Sequence, residues 1–329
     1  MLKATFTSLN VNNKLMTIPV VDLNDFVNGT PEEKSAFVQK LGNAYEEVGF
    51  VAVKNHGIPA NLIADLYNYV LQFFSLPSEM KKKFEDPELA GQRGYTSFGK
   101  EHAKGSAAPD LKEFFQYGQI VADYHKLKPQ YPDNVKVDEI SGFNETFFKA
   151  YRAFEKSGKS LLQAIALYLN LNENYFDSFV EEGNSIVRAI HYPPITSEPK
   201  SAIRAEQHED INLITLLVGA SADGLQILTK KNEWVNVTSL PDQIVVNVGD
   251  MLQRLTNNKL KSTTHRVVNP SRELWHTSRF SIPFFLHPKS AMSLATLESC
   301  VDSTHSKAYE DITAGEYLDE RLREIGLKK

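Results

Sequence analysis

The sequence predicts an α+β protein with a jelly-roll core flanked by an N-terminal helical region and a C-terminal helix. Before Gly183, helical patterns alternate with a few short strand patterns. After Gly183 the chain consists of short β-type runs separated by turn residues about every ten residues, as in sandwiches and barrels. The last segment is amphipathic and ends in basic residues, which favours a helix. We expect a mixed helix/strand region over 1–182, a jelly-roll core over 183–290 and a helical extension over 291–329.

The first elements have clear boundary residues. "MTIPVVDLNDF" predicts a strand that begins after Pro19 and ends at Asp22. Thr30 is the expected N-cap of the next helix, with Pro31 at its first position and Gly49 after its end. "FVAVKNHG" predicts a strand, and "PANLIADLYNYVLQFFSLP" predicts a second helix because its apolar residues recur at three- and four-residue spacing.

The middle of the chain predicts a polar loop over about 78–106, in which "EMKKKFED" is a charge run expected to be solvated. "DLKEFFQYG" predicts a short strand, and helical patterns cover about 141–169 and 173–182. Seven strand patterns then follow: "SIVRAIHYPP", "INLITLLVGA", "GLQILT", "EWVNVT", "QIVVNVGDML", "STTHRVVNP" and "RFSIPFFLH". The tail "SKAYEDITAGEYLDERLREIGLKK" predicts the final helix.

Composition limits the classes of function. The 329 residues carry a net charge of −5, which offers no basic field for nucleic acid and no polybasic membrane patch. The single cysteine, Cys300, excludes an intramolecular disulfide and suits a reducing compartment. There is no run of 18 apolar residues and no signal-like N-terminus. We therefore expect a cytoplasmic protein that binds neither nucleic acid nor a membrane.

"EQHEDINLITLL" contains a candidate metal-binding pair. On a strand, His208 and Asp210 would share one face while Glu209 points the other way. Nine histidines and 41 acids give 9 × 41/329, about 1.1 such pairs by chance, so the pair alone also suits a solvated strand end. His265 in "STTHRVV" is the best third ligand of a facial triad, although it could be a core histidine bonded to backbone.

"RFSIPFFLH" places Arg279 and Ser281 on one face of a strand. A guanidinium beside a hydroxyl is a good receptor for a carboxylate, because arginine binds it bidentately and stays charged when buried. Tyr192 could donate a phenol to the same anion, or could simply pack beside Pro193. Arg279 could instead be an ordinary ion-pair residue.

These motifs, taken in order, resemble the isopenicillin N synthase-like family of non-haem Fe(II) and mostly 2-oxoglutarate-dependent oxygenases. The resemblance rests on "HED", "THRVV" and "RFSIPFF", and on "HYPP", "GLQIL" and "VNVGD" in the predicted core. It extends to "IPVVDL", "GFVAVKNHGIP", "FFSLPSEMKKKF", "RGYTSFGKE" and "DLKEFFQYG", and so covers nearly the whole chain. One departure is Ile190, where plant members often have asparagine.

The resemblance implies a double-stranded β-helix core and a specific site. It implies that iron is held by His208, Asp210 and His265. It also implies that the distal carboxylate of 2-oxoglutarate is held by Arg279, Ser281 and Tyr192. Oxidative decarboxylation of 2-oxoglutarate by O2 would then give succinate and CO2 and oxidise a small-molecule substrate by hydroxylation, desaturation or ring closure.

Two alternative functions remain open. An Fe(II) oxidase of the isopenicillin N synthase type uses no 2-oxoglutarate, and in it the same Arg-x-Ser pair receives a substrate carboxylate. The tail "ITAGEYLDERLREIGLKK" does not resemble the C-terminus of that enzyme, which favours the 2-oxoglutarate-dependent function. The other alternative is a non-catalytic binding module that has kept a jelly roll and a metal.

The substrate is expected to be amino-acid-derived, a peptide or a secondary metabolite, bound by a monomer. Phe285 shares the face of Arg279, so it could line the substrate pocket or pack in the core. Arg93 and Tyr95 in the Gly-rich loop "GQRGYTSFG" are further candidates for substrate contact. His287 is expected at the rim of the pocket or on the surface. The remaining histidines without metal spacing are expected on the surface or in loops: His56, His102, His125, His276 and His305.

Overall fold

A computed structural model describes residues 15–16, 18–89, 91–101, 109–219, 223–237, 240 and 242–324. Its strands are β1 (Leu15–Met16), β2 (Val20–Asp22), β3 (Phe50–Lys54), β4 (Gly94–Thr96), β5 (Glu113–Gly118), β6 (Ile186–Tyr192), β7 (Ala205–His208), β8 (Ile214–Val218), β9 (Leu225–Leu228), β10 (Trp234–Val237), β11 (Ile244–Val248), β12 (His265–Val267) and β13 (Arg279–Leu286). Its helices are α1 (Leu23–Val27), α2 (Pro31–Glu47), α3 (Ala60–Phe74), α4 (Ser78–Lys82), α5 (Phe143–Tyr168), α6 (Asp177–Val180), α7 (Asp250–Leu255) and α8 (Ala314–Glu324). The α+β class is confirmed.

The N-terminal elements begin where the capping residues predict. The Asp22 side chain accepts a hydrogen bond from the Asn24 amide at the start of α1. Thr30 and Glu33 form a capping box at the start of α2, which satisfies two backbone N–H groups that would otherwise lack partners. Gly49 follows α2 with φ +76°, in the left-handed region that favours glycine.

The larger sheet has eight strands in the order β2-β3-β11-β8-β13-β6-β5-β4. Its four outer strands, two at each edge, come from before residue 182, so the N-terminal region extends the core sheet. Helix α5 packs against this sheet, where Phe154 stacks on Phe284 with ring centroids 5.3 Å apart. A Cβ at Gly158 would lie 2.8 Å from the Leu286 side chain, so glycine permits this close approach. Burial of each such phenylalanine stabilises the fold by about 1.5–3 kcal/mol.

The smaller sheet has five strands in the order β1-β10-β9-β12-β7. A cluster of buried apolar side chains lies at one end of the space between the two sheets, including Phe50, Ile227 and Val245. A second cluster contains Phe114, Tyr192, Ala205 and Val267. Side chains from both sheets also line a cavity of about 520 Å³, and among them are the predicted metal and cosubstrate residues.

Three details of the sequence interpretation were wrong. Lys81, in the charge run expected to be solvated, is 6% exposed and forms an ion pair of 2.8 Å with Glu113. The region expected to be a loop over 78–106 contains α4 and β4. The helix expected over 173–182 is short, since α6 covers only four residues. Within the described part of the chain, no helix is long and apolar enough to cross a membrane.

Candidate metal centre and cosubstrate site

Two of the predicted ligands are opposite each other on neighbouring strands. His265 at the start of β12 pairs in register with His208 at the end of β7. Their ring centroids are 4.4 Å apart. Residues that are distant in the sequence therefore become direct cross-strand neighbours, whose Cβ atoms lie close together in an antiparallel pair.

Asp210 reaches the same place by a different route from the one expected. The strand β7 ends at His208, so the same-face argument does not apply to Asp210, which lies in the turn beyond it. Its Oδ2 accepts hydrogen bonds from Thr215 at 2.6 Å and Asn247 at 2.8 Å. Its carbonyl accepts the Asp250 amide at 2.7 Å. These bonds hold the turn and leave Oδ1 available.

The donor atoms fit a metal ion. Among the described residues, His208, Asp210 and His265 form the group whose ligand atoms all lie within 4.8 Å of one another. Nδ1 of His208 is 2.6 Å from the Glu206 carbonyl and Nδ1 of His265 is 3.1 Å from the Thr263 carbonyl. These bonds select the tautomer in which Nε2 carries the free lone pair that a metal needs.

Protonation also favours metal binding. Burial, then the neighbouring His265, lowers the pKa of His208. Burial alone would raise the pKa of Asp210, but the two imidazoles and the bonds from Asn247 and Thr215 outweigh it and the pKa is lowered. Neutral imidazoles beside a carboxylate are the deprotonated ligands that a divalent metal requires.

Arg279 and Tyr192 are a cross-strand pair of β13 and β6, and the guanidinium carbon lies 5.0 Å from the tyrosine ring centroid. Ser281 is two residues further along the same face of β13. All three side chains line the cavity that contains the three candidate metal ligands. Arg279 is 1% exposed, so its charge lies in a medium that strengthens attraction to an anion. The structure thus brings together all six residues of the predicted metal and cosubstrate sites.

Arg204 is a second buried cation at this end of the cavity, and the sequence interpretation missed it. It is 2% exposed, and its guanidinium carbon lies 6.0 Å from the Tyr192 ring centroid. Its Nη2 donates to the Thr277 carbonyl at 3.0 Å, whereas its Nε is buried without a partner among the described residues. Burial, then the charge of Arg279, lowers the pKa of Arg204 to about 10. No local motif signals Arg204, because it precedes β7 in an irregular segment.

Thr215 and Asn247 were also missed as supports of the metal site. Asn247 donates a hydrogen bond to the carboxylate of Asp210. The β11–β8 register places Asn247 directly opposite Thr215. The pairing of two distant strands creates this contact, so no spacing within one segment reveals it.

Arg93 and Tyr95 do not lie where the substrate-contact hypothesis requires. Neither residue lines the described part of the cavity. Arg93 is fully buried, and its guanidinium packs so closely on Gly118 that a Cβ there would clash with it. Tyr95 donates its hydroxyl to Glu113, and its ring contacts Phe73 of α3. Tyr95 is on β4 and Arg93 immediately precedes that strand, and neither side chain is part of the described cavity lining.

The other predicted residues divide between cavity and surface. Phe285 lines the cavity, and so does His287, which is only 7% exposed rather than at the rim. His56 is a buried loop residue at 8% exposure. His276 and His305 are exposed and His125 is half-buried, all three in irregular segments. His102 lies outside the described residues.

Comparison with known proteins agrees with this geometry. The family model described as "non-haem dioxygenase in morphine synthesis N-terminal" matches residues 18–139, and the model "2OG-Fe(II) oxygenase superfamily" matches 183–288. Among curated relatives, proline hydroxylase buaE of Petromyces alliaceus is 34% identical over 323 residues, which cover 93% of this chain and 99% of the relative.

Solved structures give the same result. A 2OG-Fe(II) oxygenase family protein from Caulobacter crescentus is 39% identical with a TM-score of 0.85, covering 94% of this chain and 99% of that one. Neurospora crassa T7H in complex with alpha-KG and thymine is 30% identical with a TM-score of 0.82, covering 96% of this chain and 98% of that one.

The chain belongs to the 2OG-Fe(II) oxygenase superfamily, and its core is the jelly roll of that family. It is an oxidoreductase, a non-haem iron dioxygenase that uses Fe(II), 2-oxoglutarate and O2. Enzymes of this class oxidise a substrate with release of succinate and CO2. Relatives named as 2-oxoglutarate-Fe(II) oxidoreductases support this function over the oxidase and the binding module.

Proposed function

We propose that His208, Asp210 and His265 hold the iron, and that Arg279, Ser281 and Tyr192 hold the distal carboxylate of 2-oxoglutarate. One observation carries this assignment: the three ligand atoms converge within 4.8 Å in the same cavity that Arg279 lines. The bound iron supplies dioxygen activation coupled to oxidative decarboxylation of 2-oxoglutarate. The protein supplies the geometry, the charges and the exclusion of water.

The residues around the ligands each have a task in this proposal. The carbonyls of Glu206 and Thr263 orient the two imidazoles, and Asn247 fixes the carboxylate of Asp210. Phe50 packs edge-on against His265 with centroids 5.7 Å apart and keeps water from that side. Arg279 binds a carboxylate and so orients the 2-oxo acid end of the cosubstrate toward the iron.

The substrate is proposed to be a small molecule that enters beside the C-terminal helix α8. Leu318 and Leu322 of α8 line the cavity, and so does Phe285 of β13 in the larger sheet. The relatives suggest two kinds of substrate, because one is named a proline hydroxylase and another was solved with thymine. Proline is a zwitterion and thymine is uncharged, so the two compounds serve as contrasting probes.

We also propose that residues 1–182, 183–290 and 291–329 act as supporting region, catalytic core and covering extension. We further propose that the protein is a monomer and that it is cytoplasmic. The single cysteine, Cys300, supports the cytoplasmic location because it suits a reducing compartment. Size-exclusion chromatography with light scattering would test the monomer.

Anaerobic titration of the iron(II)-loaded protein with 2-oxoglutarate tests the assignment. Bidentate binding gives a visible metal-to-ligand charge-transfer band, which we expect to saturate. His208→Ala should abolish the band because iron is lost, and Arg279→Ala should shift the titration to higher 2-oxoglutarate concentrations. Absence of the band in protein with iron bound would overturn the cosubstrate assignment.

A further inference from the structure

The cavity has a second polar end, which the cosubstrate does not use. The strand β6 turns Ile186, Arg188, Ile190 and Tyr192 toward the cavity. Arg188 is four residues from Tyr192, about 13 Å along the strand. The neighbouring strand β13 contributes Phe285 to the same end of the cavity as Arg188, and His287 follows just after that strand. The iron ligands also line this cavity, so a molecule at the Arg188 end is a neighbour of the metal without displacing a carboxylate at Arg279.

Arg188 is held rigidly and has donor capacity left. Its Nε donates to Gln116 Oε1 at 2.8 Å, and its Nη1 donates to the Glu101 carboxylate at 3.2 Å. The guanidinium carbon lies 4.3 Å from the Phe114 ring centroid and 5.3 Å from that of Phe285. The hydrogen bonds of Arg188 to described residues use Nε and Nη1, which leaves Nη2 to donate to a ligand, and Arg188 lines the cavity. A preorganised donor next to an aromatic ring suits recognition of a ligand.

The charge of Arg188 is already neutralised. Glu101 also binds Lys112 at 2.6 Å, and Lys112 binds Asp110 at 2.8 Å. Two cations and two carboxylates therefore cancel in what we call the polar wall: Glu101, Asp110, Lys112, Gln116 and Arg188. Burial lowers the pKa of His287 to about 4, despite the opposing effect of Asp210, so this imidazole adds no charge near pH 7.

Resting on the proposed function, we propose that Arg188 is the substrate-recognition residue and that it selects an uncharged small molecule with a carbonyl oxygen, such as an amide or lactam. A carbonyl accepts a charge-assisted hydrogen bond from Nη2 and needs no counter-ion. A carboxylate at this end would lose its hydration without an uncompensated cation to replace it. The Arg279 end differs, because Arg204 there has no ion pair with a described carboxylate and adds to the positive potential.

Glu101 sets this selectivity in the proposal. Removing its charge with Glu101→Gln leaves the polar wall with one net positive charge. In a buried site that charge attracts a substrate carboxylate across several ångströms. The selectivity for uncharged molecules should therefore weaken in this variant while the iron and 2-oxoglutarate sites stay intact.

The test uses the anaerobic iron(II)–2-oxoglutarate complex and follows the shift of its charge-transfer band. The probes are thymine, uracil-5-carboxylate, which carries a carboxylate in place of the thymine methyl group, and L-proline. Wild type should bind thymine saturably and uracil-5-carboxylate at least about tenfold more weakly. Arg188→Lys keeps the charge but loses the guanidinium fork, so thymine should bind about tenfold more weakly. Glu101→Gln should reduce the ratio of the Kd of uracil-5-carboxylate to the Kd of thymine about tenfold.

The exposed Arg272→Gln is the matched control and should leave all titrations unchanged. Any one of three results would overturn the proposal. The first is that Arg188→Lys binds thymine as tightly as wild type does, and the second is that wild type binds L-proline more tightly than thymine. The third is that neither thymine nor another uncharged lactam shifts the band at concentrations up to its solubility. A variant that still shows the charge-transfer band has folded and bound iron and 2-oxoglutarate. If thymine does not shift that band, the defect is in substrate binding and not in folding. Loss of the band in wild type would instead overturn the proposed function.

Discussion

The two ends of the cavity use the same pair of strands but differ in how their charges are balanced. At the Arg279 end, two buried arginines lie near Tyr192, and one of them, Arg204, has no carboxylate partner among the described residues. At the Arg188 end, each cation is bonded to a buried carboxylate. In our proposals the Arg279 end receives an anion and the Arg188 end stays neutral. Cosubstrate and substrate can thus be sorted by charge within one cavity.

The proposed iron ligands line the same cavity, and their loss should have the largest effect. Asp210→Ala removes the only carboxylate of the described ligand cluster. We expect iron occupancy to fall close to zero and product formation to fall by at least about a thousandfold. Metal analysis and succinate formation measure both. Asp65→Ala on the exposed face of α3 is the control, and iron retention in Asp210→Ala would contradict the ligand assignment.

Acid should weaken the polar wall, because protonation removes the negative charge of Glu101. Burial alone would raise the pKa of Glu101, but Arg188 and Lys112 outweigh it and lower the pKa to about 2. Because the folded-state pKa lies below the unfolded value of 4.5, this group stabilises the fold above about pH 4.5 and loses that effect as the pH falls toward 2. The full contribution is on the order of 3 kcal/mol.

Unfolding free energies of wild type and Glu101→Gln between pH 2 and 6 would measure this contribution. The difference should be greatest near pH 6 and shrink on acidification. Glu79→Gln, whose side chain is 84% exposed, should follow wild type throughout. A difference that does not change with pH would show that Glu101 is not held ionised by its two cationic partners.

Arg279→Gln should weaken the anion end selectively. Truncating a buried charge that pairs with a ligand typically costs at least 2 kcal/mol, so the 2-oxoglutarate Kd should rise about 30-fold or more. Iron occupancy and binding of an uncharged substrate at the Arg188 end should remain. Calorimetry under anaerobic conditions gives the Kd, and a change below threefold would argue against a direct contact with the carboxylate.

Asn247→Ala should weaken the iron site without abolishing it. The variant removes one of the two hydrogen bonds to Asp210 Oδ2 and leaves that of Thr215. Loss of such a support lowers metal affinity by about tenfold. Competition with a chelator measures it. An unchanged iron affinity together with lower thermal stability would assign Asn247 to packing alone.

Arg204→Gln is expected to have the smallest effect. Arg204 acts on the distal carboxylate through the electrostatic potential, so the 2-oxoglutarate Kd should rise about fivefold. Binding of 2-oxopentanoate, which lacks the distal carboxylate, should not change. Arg204→Lys keeps the positive charge, so its 2-oxoglutarate Kd should be close to that of wild type. An equal loss for both 2-oxo acids would indicate a structural role for Arg204.

Residues that share a strand or a turn could be predicted, and residues joined by distant pairing could not. Arg279, Ser281 and Phe285 share a face by simple alternation, and the structure places all three on the cavity. Asp210 lies in the cluster with His208 and His265, but not by alternation along one strand, because β7 ends before it. Tyr95 was misplaced, since its orientation follows from the pairing of β4 with β5, which no period within that segment indicates. Arg93, just before β4, was misplaced because its burial against Gly118 also depends on β5.

The sequence by itself determined the element order, the capping of α2, and the set of ligand types that belongs to a non-haem iron oxygenase. These follow from local spacing and from side-chain chemistry. Only the tertiary structure decided that Glu101 and Lys112 neutralise Arg188, that Asn247 supports Asp210, and that Arg204 joins the Arg279 end. Each of these contacts depends on which strands pair and in which register, and that choice is made by the packing of the whole core.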